Sequence, residues 1–264
     1  MSKLRVITGH NRTGLFSVAT VLLENLILNQ GDFQYKVELG AEYLYFDTTK
    51  GLNVWEYFFK QPMNFSERRE NQEIEYGFLF DRIGLLDVAN RSTSYFDAVL
   101  KAAEIFRNQL NFAEGVESVL SASKTQLGLS DKYIAVHKRE TDYELHANSI
   151  PSSDVFFREI ENQLGDEDIF LATDSTKAYW DFKMRYGKRL KSLKVDRSSD
   201  STGLHFKNYK PGFNWINGLN ALKDAYVLSQ GASLYRTRSN LTTFSLILNP
   251  DIRCIEMDQN IVIA

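Results

Sequence analysis

The chain has 264 residues, 43% apolar and 25% charged, an ordinary globular composition with room for one large or two modest cores. Its formal net charge of −3 provides no overall basic field for nucleic acid or an anionic membrane, so any bound anion must be gripped by a few placed groups. The single cysteine, Cys254, excludes a disulfide framework and a multi-cysteine metal centre, and no apolar run approaches a membrane span; a soluble cytoplasmic protein in a bacterial or viral setting, without secretory signal or transmembrane segment, is expected.

Leu4 to Thr8, "LRVIT", reads as a short strand closed by Gly9 and the polar run His10-Asn11-Arg12-Thr13-Gly14. Leu15 to Asn29 is apolar too densely and for too long to be a strand, which predicts a largely buried helix. Gly31 ends it and Tyr35 to Leu39 is the next strand, so strand, glycine turn, helix and strand open an α/β unit. The aromatic segment Leu44 to Phe65 is expected to pack over a core edge, with an acceptor-side wall for sugar rings as the alternative. Residues 66 to 92 are mixed and charged. Tyr95 to Ser123 predicts two helices broken near Gly115.

From Lys132 the rhythm is regular. Strands are expected at Lys132 to Lys138, Asp168 to Asp174, Leu190 to Val195, Ala232 to Thr237 and Ile252 to Met257. Helices are expected between them, at Ser153 to Leu164, Thr176 to Tyr186, Asn217 to Gln230 and Asn240 to Leu248. Such alternation with short connections predicts a parallel sheet covered by helices on both faces, with ligands bound outside the carboxyl ends of its strands. The polar, glycine-containing stretch 124–131 is the expected boundary between an N-terminal α/β domain, residues 1–124, and a C-terminal Rossmann-like domain, residues 125–264.

Four strand ends carry the chemistry: "TGHNRTG", "HKRETD", "ATDS" and "RTRSN". Arg139 at a strand's carboxyl end suits a phosphate, because a guanidinium forms a two-pronged hydrogen-bond pair that lysine cannot match. His137, two residues earlier, shares its face, and Asp142 and Glu144 follow. An ion pair between Arg139 and Asp142 with His137 capping a loop is an equally weighted reading of that stretch alone. Ser239 stands as the N-cap of a helix opening at Asn240, where the unpaired N–H groups and positive dipole end offer an anion site, with simple helix termination as the alternative reading of that residue alone. Neither G-x-x-x-x-G-K-[ST] nor G-x-G-x-x-G occurs. Asp166-Glu167-Asp168 reads as a solvated turn. With no metal site expected, a bound diphosphate would be balanced by arginine and helix dipole.

"IAVHKRETDYE", "IFLATDS" and "LKDAYVLSQGASLYRTRSNLTTFS" together resemble, in order and spacing, three motifs of the metal-independent fucosyltransferases. The resemblance is strongest to the α-1,6-enzymes of N-glycan cores and nodulation factors, and more distant to the α-1,2- and protein O-fucosyltransferases. It is good over residues 132–248 and weaker but collinear over residues 4–47. It implies two Rossmann-like domains facing a cleft, the GT-B-like arrangement, with the acceptor on the N-terminal side. The implied reaction is inverting transfer of fucose from GDP-fucose to a hydroxyl of a glycan, without cofactor or metal.

The resemblance also assigns roles. Arg139 matches the arginine on the β-phosphate, His137 the histidine beside guanine and ribose, Asp224 the aspartate that reads guanine, and Ser239, followed by Asn240, the serine on the diphosphate. Asp142 and Asp174 match positions that organise the arginine loop and sugar pocket. Gly14 matches a glycine-rich first turn approaching the donor, and Glu144, or failing it Asp142, the general base. Three positions depart from the pattern: Glu140 stands where many relatives have a second arginine, Ser175 where core enzymes have a second aspartate, and Gly14 where relatives carry several glycines. These departures leave another GDP-hexose donor, or GDP-sugar binding without catalysis, as alternatives.

Overall fold

Strand β1 (Lys3–Thr8) runs parallel to both its neighbours, β2 (Phe33–Glu38) and β3 (Ile74–Gly77), in a sheet of order β2-β1-β3. The computed structural model describes residues 3–9, 13–28, 33–63, 74–77, 94–141, 150–200, 202–204 and 214–258. Contacts divide the chain into two compact units, Met1–Ser118 with Tyr209–Leu219, and Val119–Asn208 with Asn220–Ala264.

In the first unit, helix α1 (Leu15–Leu28) connects β1 to β2 and buries Leu15, Val18, Ala19, Leu22, Leu23 and Leu26, the spacing of one helical face. Helix α2 (Tyr95–Gln109) packs against α1 through its own stripe, Ala98, Val99, Ala102, Ala103 and Phe106. The aromatic segment folds into a short 3-10 helix, Val54–Tyr57, whose Trp55 and the following Phe58 and Phe59 are buried; Phe59 stacks on Phe112 with centroids 5.8 Å apart. These rings are core. Gly9 is demanded by packing, since a Cβ there would come within 2.5 Å of the Tyr43 ring.

The second unit holds a five-stranded, all-parallel sheet: β4 (Tyr133–Lys138), β5 (Asp168–Thr173), β6 (Leu190–Lys191), β7 (Ser233–Arg236) and β8 (Arg253–Glu256). Every residue of β4 is buried, as expected of a central strand covered on both faces. Ile134, Val136, Ile169, Leu171 and Tyr235 pack on one face with Phe156 and Ile160 of α4 (Ser153–Glu161) and Phe182 and Tyr186 of α5 (Thr176–Tyr186). On the other face, Tyr133 donates its hydroxyl to the Val227 carbonyl of α6 (Asn214–Ser229), and Arg236 reaches Thr242 of α7 (Asn240–Leu248). Helix α3 (Val116–Gln126) brings the Lys124 ammonium 5.4 Å from the centre of the Tyr133 ring.

The strand expected over Leu190 to Val195 pairs only at Leu190–Lys191. Beyond it Ser192 donates its hydroxyl to the Leu171 carbonyl, the chain loops out, and it rejoins β5's line at Ser198, whose N–H donates to Asp174 O at 2.7 Å. The polar side chains of this loop divert it from the ladder, and hydrophobic alternation could not reveal that.

Candidate active site

The strand order β6-β5-β4-β7-β8 places the third, second, first, fourth and fifth strands of the unit side by side. The winding therefore reverses between β4 and β7. In open parallel sheets such a reversal opens a crevice at the strands' carboxyl ends, because the flanking connections leave in opposite directions. "HKRET" and "RTRSN" end those two strands.

Thr237 ties them together. Its N–H donates to His137 O at 3.0 Å, and its hydroxyl accepts from the Arg139 N–H at 3.0 Å. His137 Nδ1 lies 3.2 Å from Thr237 O; a carbonyl can only accept, so Nδ1 carries the proton and Nε2 keeps its lone pair. Nε2 has no hydrogen-bond partner among the described residues. Burial first, and then the Arg139 charge, push the His137 pKa down to about 3, so the ring is neutral.

Asp174, at the end of β5, braces the same loop. One oxygen accepts from the Glu140 N–H at 3.0 Å and the other from the Thr141 hydroxyl at 2.6 Å. Burial raises its pKa, against the lowering effect of these bonds and of Arg139. Its contacts make it a support for the Arg139 loop.

Lys138 alternates to the opposite face, where its fully buried ammonium pairs with Glu140 and lies 5.8 Å from the centre of the Phe156 ring. The other Glu140 oxygen accepts from the hydroxyl of Ser175, the N-cap of α5.

Ser239 is the N-cap of α7. Its hydroxyl accepts from Thr242 N–H, and Thr242 Oγ1 accepts from Ser239 N–H, a reciprocal capping box at the positive end of the helix dipole. Asn240 begins the helix and is exposed. Arg236 is not a free cation of this cluster: it is fully buried, pairs with Glu256 and donates to Thr242 at 3.3 Å. The Arg238 guanidinium stands 3.5 Å from Glu256.

Asp224 lies on α6, in the second unit. Among the described residues neither of its oxygens accepts a hydrogen bond, and burial raises its pKa to about 7 even though Arg197 lowers it. Gly14 is in the first unit, where its carbonyl accepts the N–H of Ser17 at 3.0 Å at the start of α1; an added Cβ would meet nothing within 4 Å. Asp142 and Glu144 lie outside the described residues. Among the described residues no group of three or more His, Cys, Asp or Glu is placed to hold a metal, and Asp168 and Glu167 accept from the Ser130 and Gly165 N–H groups, respectively.

No family model and no curated protein matches the chain by sequence. Solved structures do match its fold. NodZ from Bradyrhizobium superposes with a TM-score of 0.58 at 16% identity, covering 98% of this chain and 96% of NodZ. Its structural neighbours are fucosyltransferases. POFUT1 in complex with GDP gives 0.52 at 9% identity over 97% and 98% of the two chains. Arabidopsis thaliana FUT1 with GDP gives 0.51 at 10% identity, covering 96% of this chain and 70% of that one. At such identities the likeness is one of fold, an α/β fold with a parallel five-stranded sheet flanked by helices.

Sequence reasoning singled out Arg139, His137, Asp174 and Ser239 within this fucosyltransferase-like fold but not Thr237, Thr141 or Arg197. Thr237 and Thr141 sit inside "RTRSN" and "HKRETD", so adjacency to the charged residues was the available signal. Arg197 carried none, because its loop is defined by tertiary hydrogen bonds.

Proposed function

We propose that the protein is an inverting glycosyltransferase that moves fucose from GDP-fucose to a glycan hydroxyl without a metal ion. One observation carries this reading: Arg139 and the capped N-terminus of α7 flank the switch point of a parallel sheet and are joined through Thr237. A fucosyltransferase-like fold supports it further, and NodZ has been solved with GDP-fucose.

In this reading Arg139 grips the β-phosphate by its fork, and Ser239, Asn240 and the helix dipole share the negative charge that develops as the C1–O bond breaks. Neutral His137 offers Nε2 to a ribose or base donor. Asp224 accepts from the adjacent N1–H and N2–H of guanine. Asp174 holds the arginine loop, Gly14 lets backbone approach the donor, and Glu144, or failing it Asp142, takes the acceptor's proton.

The test is transfer from GDP-fucose to a panel of glycan acceptors. Arg139→Lys and Arg139→Ala should each lose about 10²–10³ in turnover, as for one preorganised oxyanion donor. Near wild-type rates in both would sink the leaving-group role. A second reading, GDP-sugar binding without transfer, is favoured by Glu140: its carboxylate is committed to Lys138 and Ser175 and supplies no cation beside the phosphate. GDP binding without turnover of any GDP-sugar would select it.

A further inference from the structure

The turn at residues 47–50 of the first unit is tightly built, yet it leaves an acceptor unused. Asp47 is 2% exposed and holds the turn with one carboxylate oxygen, Oδ1, which accepts the Thr49 N–H at 2.9 Å and the Thr49 hydroxyl at 2.7 Å. The Tyr57 hydroxyl braces the same turn, 2.9 Å from Asp47 O. Asp47 Oδ2 is buried without a hydrogen-bond partner among the described residues. The Thr49 bonds hold the Asp47 pKa below the ordinary carboxylate value, so this oxygen belongs to an ionised group. Folded proteins rarely leave such an acceptor empty without a reason.

The first residues of α6 belong to the same unit, and the turn packs on them. The Lys50 N–H donates to Asp47 O at 3.0 Å, and the Lys50 ammonium stands 3.9 Å from the centre of the Trp215 ring. One helical turn on, a Cβ at Gly218 would come within 2.6 Å of the Phe58 ring and 3.0 Å of the Tyr45 ring, so this contact is close. Asn214, beside Trp215, has a buried side-chain oxygen that also lacks a partner. The Lys50–Trp215 contact therefore joins two segments, each bearing an unpartnered acceptor, at one aromatic ring.

We propose that this junction is a sugar-binding subsite, in which Trp215 stacks on the apolar face of a neutral sugar ring while Asp47 Oδ2 and Asn214 Oδ1 accept hydrogen bonds from its hydroxyl groups. Two acceptors call for a ligand rich in donors. A metal ion would meet the Lys50 ammonium, and an anion would meet the Asp47 carboxylate, so the ligand is uncharged. The C–H face of a sugar ring suits the electron-rich face of an indole. The exposed Lys50 side chain now lies on that face and turns aside when the sugar binds. That the ring belongs to the acceptor rests on the transferase reading; that a sugar binds does not.

Titration of the full chain with trisaccharides of glucose, mannose, galactose and N-acetylglucosamine, without any nucleotide, tests the proposal by tryptophan emission and calorimetry. At least one should bind and change the emission of Trp215, since Trp55 is fully buried and Trp180 lies on α5 in the other unit. Trp215→Leu should abolish both signals. Asp47→Asn keeps the acceptor that holds the turn but replaces Oδ2 with a donor, so affinity should fall about 10–100-fold at an unchanged melting temperature. Asn214→Ala should cost up to about tenfold, and Asn214→Asp, which keeps the acceptor, should recover it. Lys50→Ala uncovers the ring and should strengthen binding. The proposal is overturned if none of the trisaccharides binds at millimolar concentration, or if binding survives Trp215→Leu and Asp47→Asn unchanged. Sugar binding that needs Trp215 and Asp47, in a protein that transfers nothing from GDP-fucose, would uphold the subsite and sink the transferase reading. Transfer whose acceptor KM is unmoved by Asp47→Asn would do the reverse.

Discussion

Ser175 donates its hydroxyl to Glu140, so two positions at which the chain departs from the fucosyltransferase pattern are bonded to each other. The same carboxylate neutralises Lys138, whose ammonium is completely buried. Glu140 is thus part of a buried polar trio. A second arginine there would place a cation beside an ammonium that has no water to screen it.

Glu140→Arg should therefore destabilise the protein by about 3–5 kcal/mol, the usual cost of leaving a buried charge without its partner. Lys138→Met with Glu140→Gln should cost less than the sum of the two single changes, because neither charge is then stranded. Denaturant unfolding of the four proteins gives the coupling directly. Additive effects would remove the structural role assigned to Glu140.

Ser239 permits a clean separation of stability from binding. Asp is as good an N-cap as Ser, so Ser239→Asp should preserve the melting temperature, whereas Ser239→Ala should lose about 1 kcal/mol. If α7 points its N-terminus at a diphosphate, the added negative charge in Ser239→Asp should weaken GDP binding by at least tenfold, roughly 1.4 kcal/mol. Unchanged GDP affinity in a stably folded Ser239→Asp would move the anion elsewhere.

Thr237 should be more sensitive to loss of its hydroxyl than to a change of shape. Thr237→Val leaves the Arg139 N–H without its acceptor inside the sheet's edge, at a cost of about 1–3 kcal/mol. Turnover should fall with it, because the arginine loop is then held chiefly by Asp174. Thr237→Ser should recover most of both losses. Equal behaviour of the Val and Ser variants in unfolding and transfer assays would show that the hydroxyl is dispensable.

His137 and Asp224 act on acid stability with opposite signs. The folded pKa of His137 is depressed to about 3 from 6.5, so the unfolded chain binds its proton first and stability is lost as pH falls through that window. Asp224 is raised from 3.8 to about 7, so the folded chain holds the extra proton and stability is lost as pH rises between those values. Asp224→Asn should thus stabilise the protein above pH 7, by on the order of 3 kcal/mol, and have little effect below pH 4. His137→Gln should flatten the acid limb instead. Melting curves from pH 4 to 8 (roughly the span of both transitions) suffice, and a flat difference for Asp224→Asn would contradict the raised pKa.

How much of this could be read from the sequence depended on whether the information was local. Short apolar strands alternating with helices made the second unit's order legible, and Ser239 was visible as an N-cap because capping is written within four residues. The break between α2 and α3 at Gly115 was equally plain, since Gly115 adopts φ +75°. The early end of β6 was not, because Ser192 and Arg197 divert the chain through partners up to 21 residues away. The difference between Arg139 and Arg236, both strand-end arginines, was also hidden: only the fold shows that Arg236 lies against Glu256. Asp142 and Glu144, the expected proton acceptors, lie outside the described residues.

The inward-facing Lys138 has a consequence for how the chain finds its fold. Sliding β4 by one residue exchanges its two faces, which hydrophobic residues alone would partly forgive, since Ile134, Ala135 and Val136 can be buried on either side. The cationic end of the strand would not. A slipped β4 would drive His137 or Arg139 under Phe156 without Glu140 opposite, and would leave Lys138 beside Arg236. Charge at the strand's tip thereby proofreads register while the central strand is being laid down, and errors in sheet assembly are rejected at its carboxyl end.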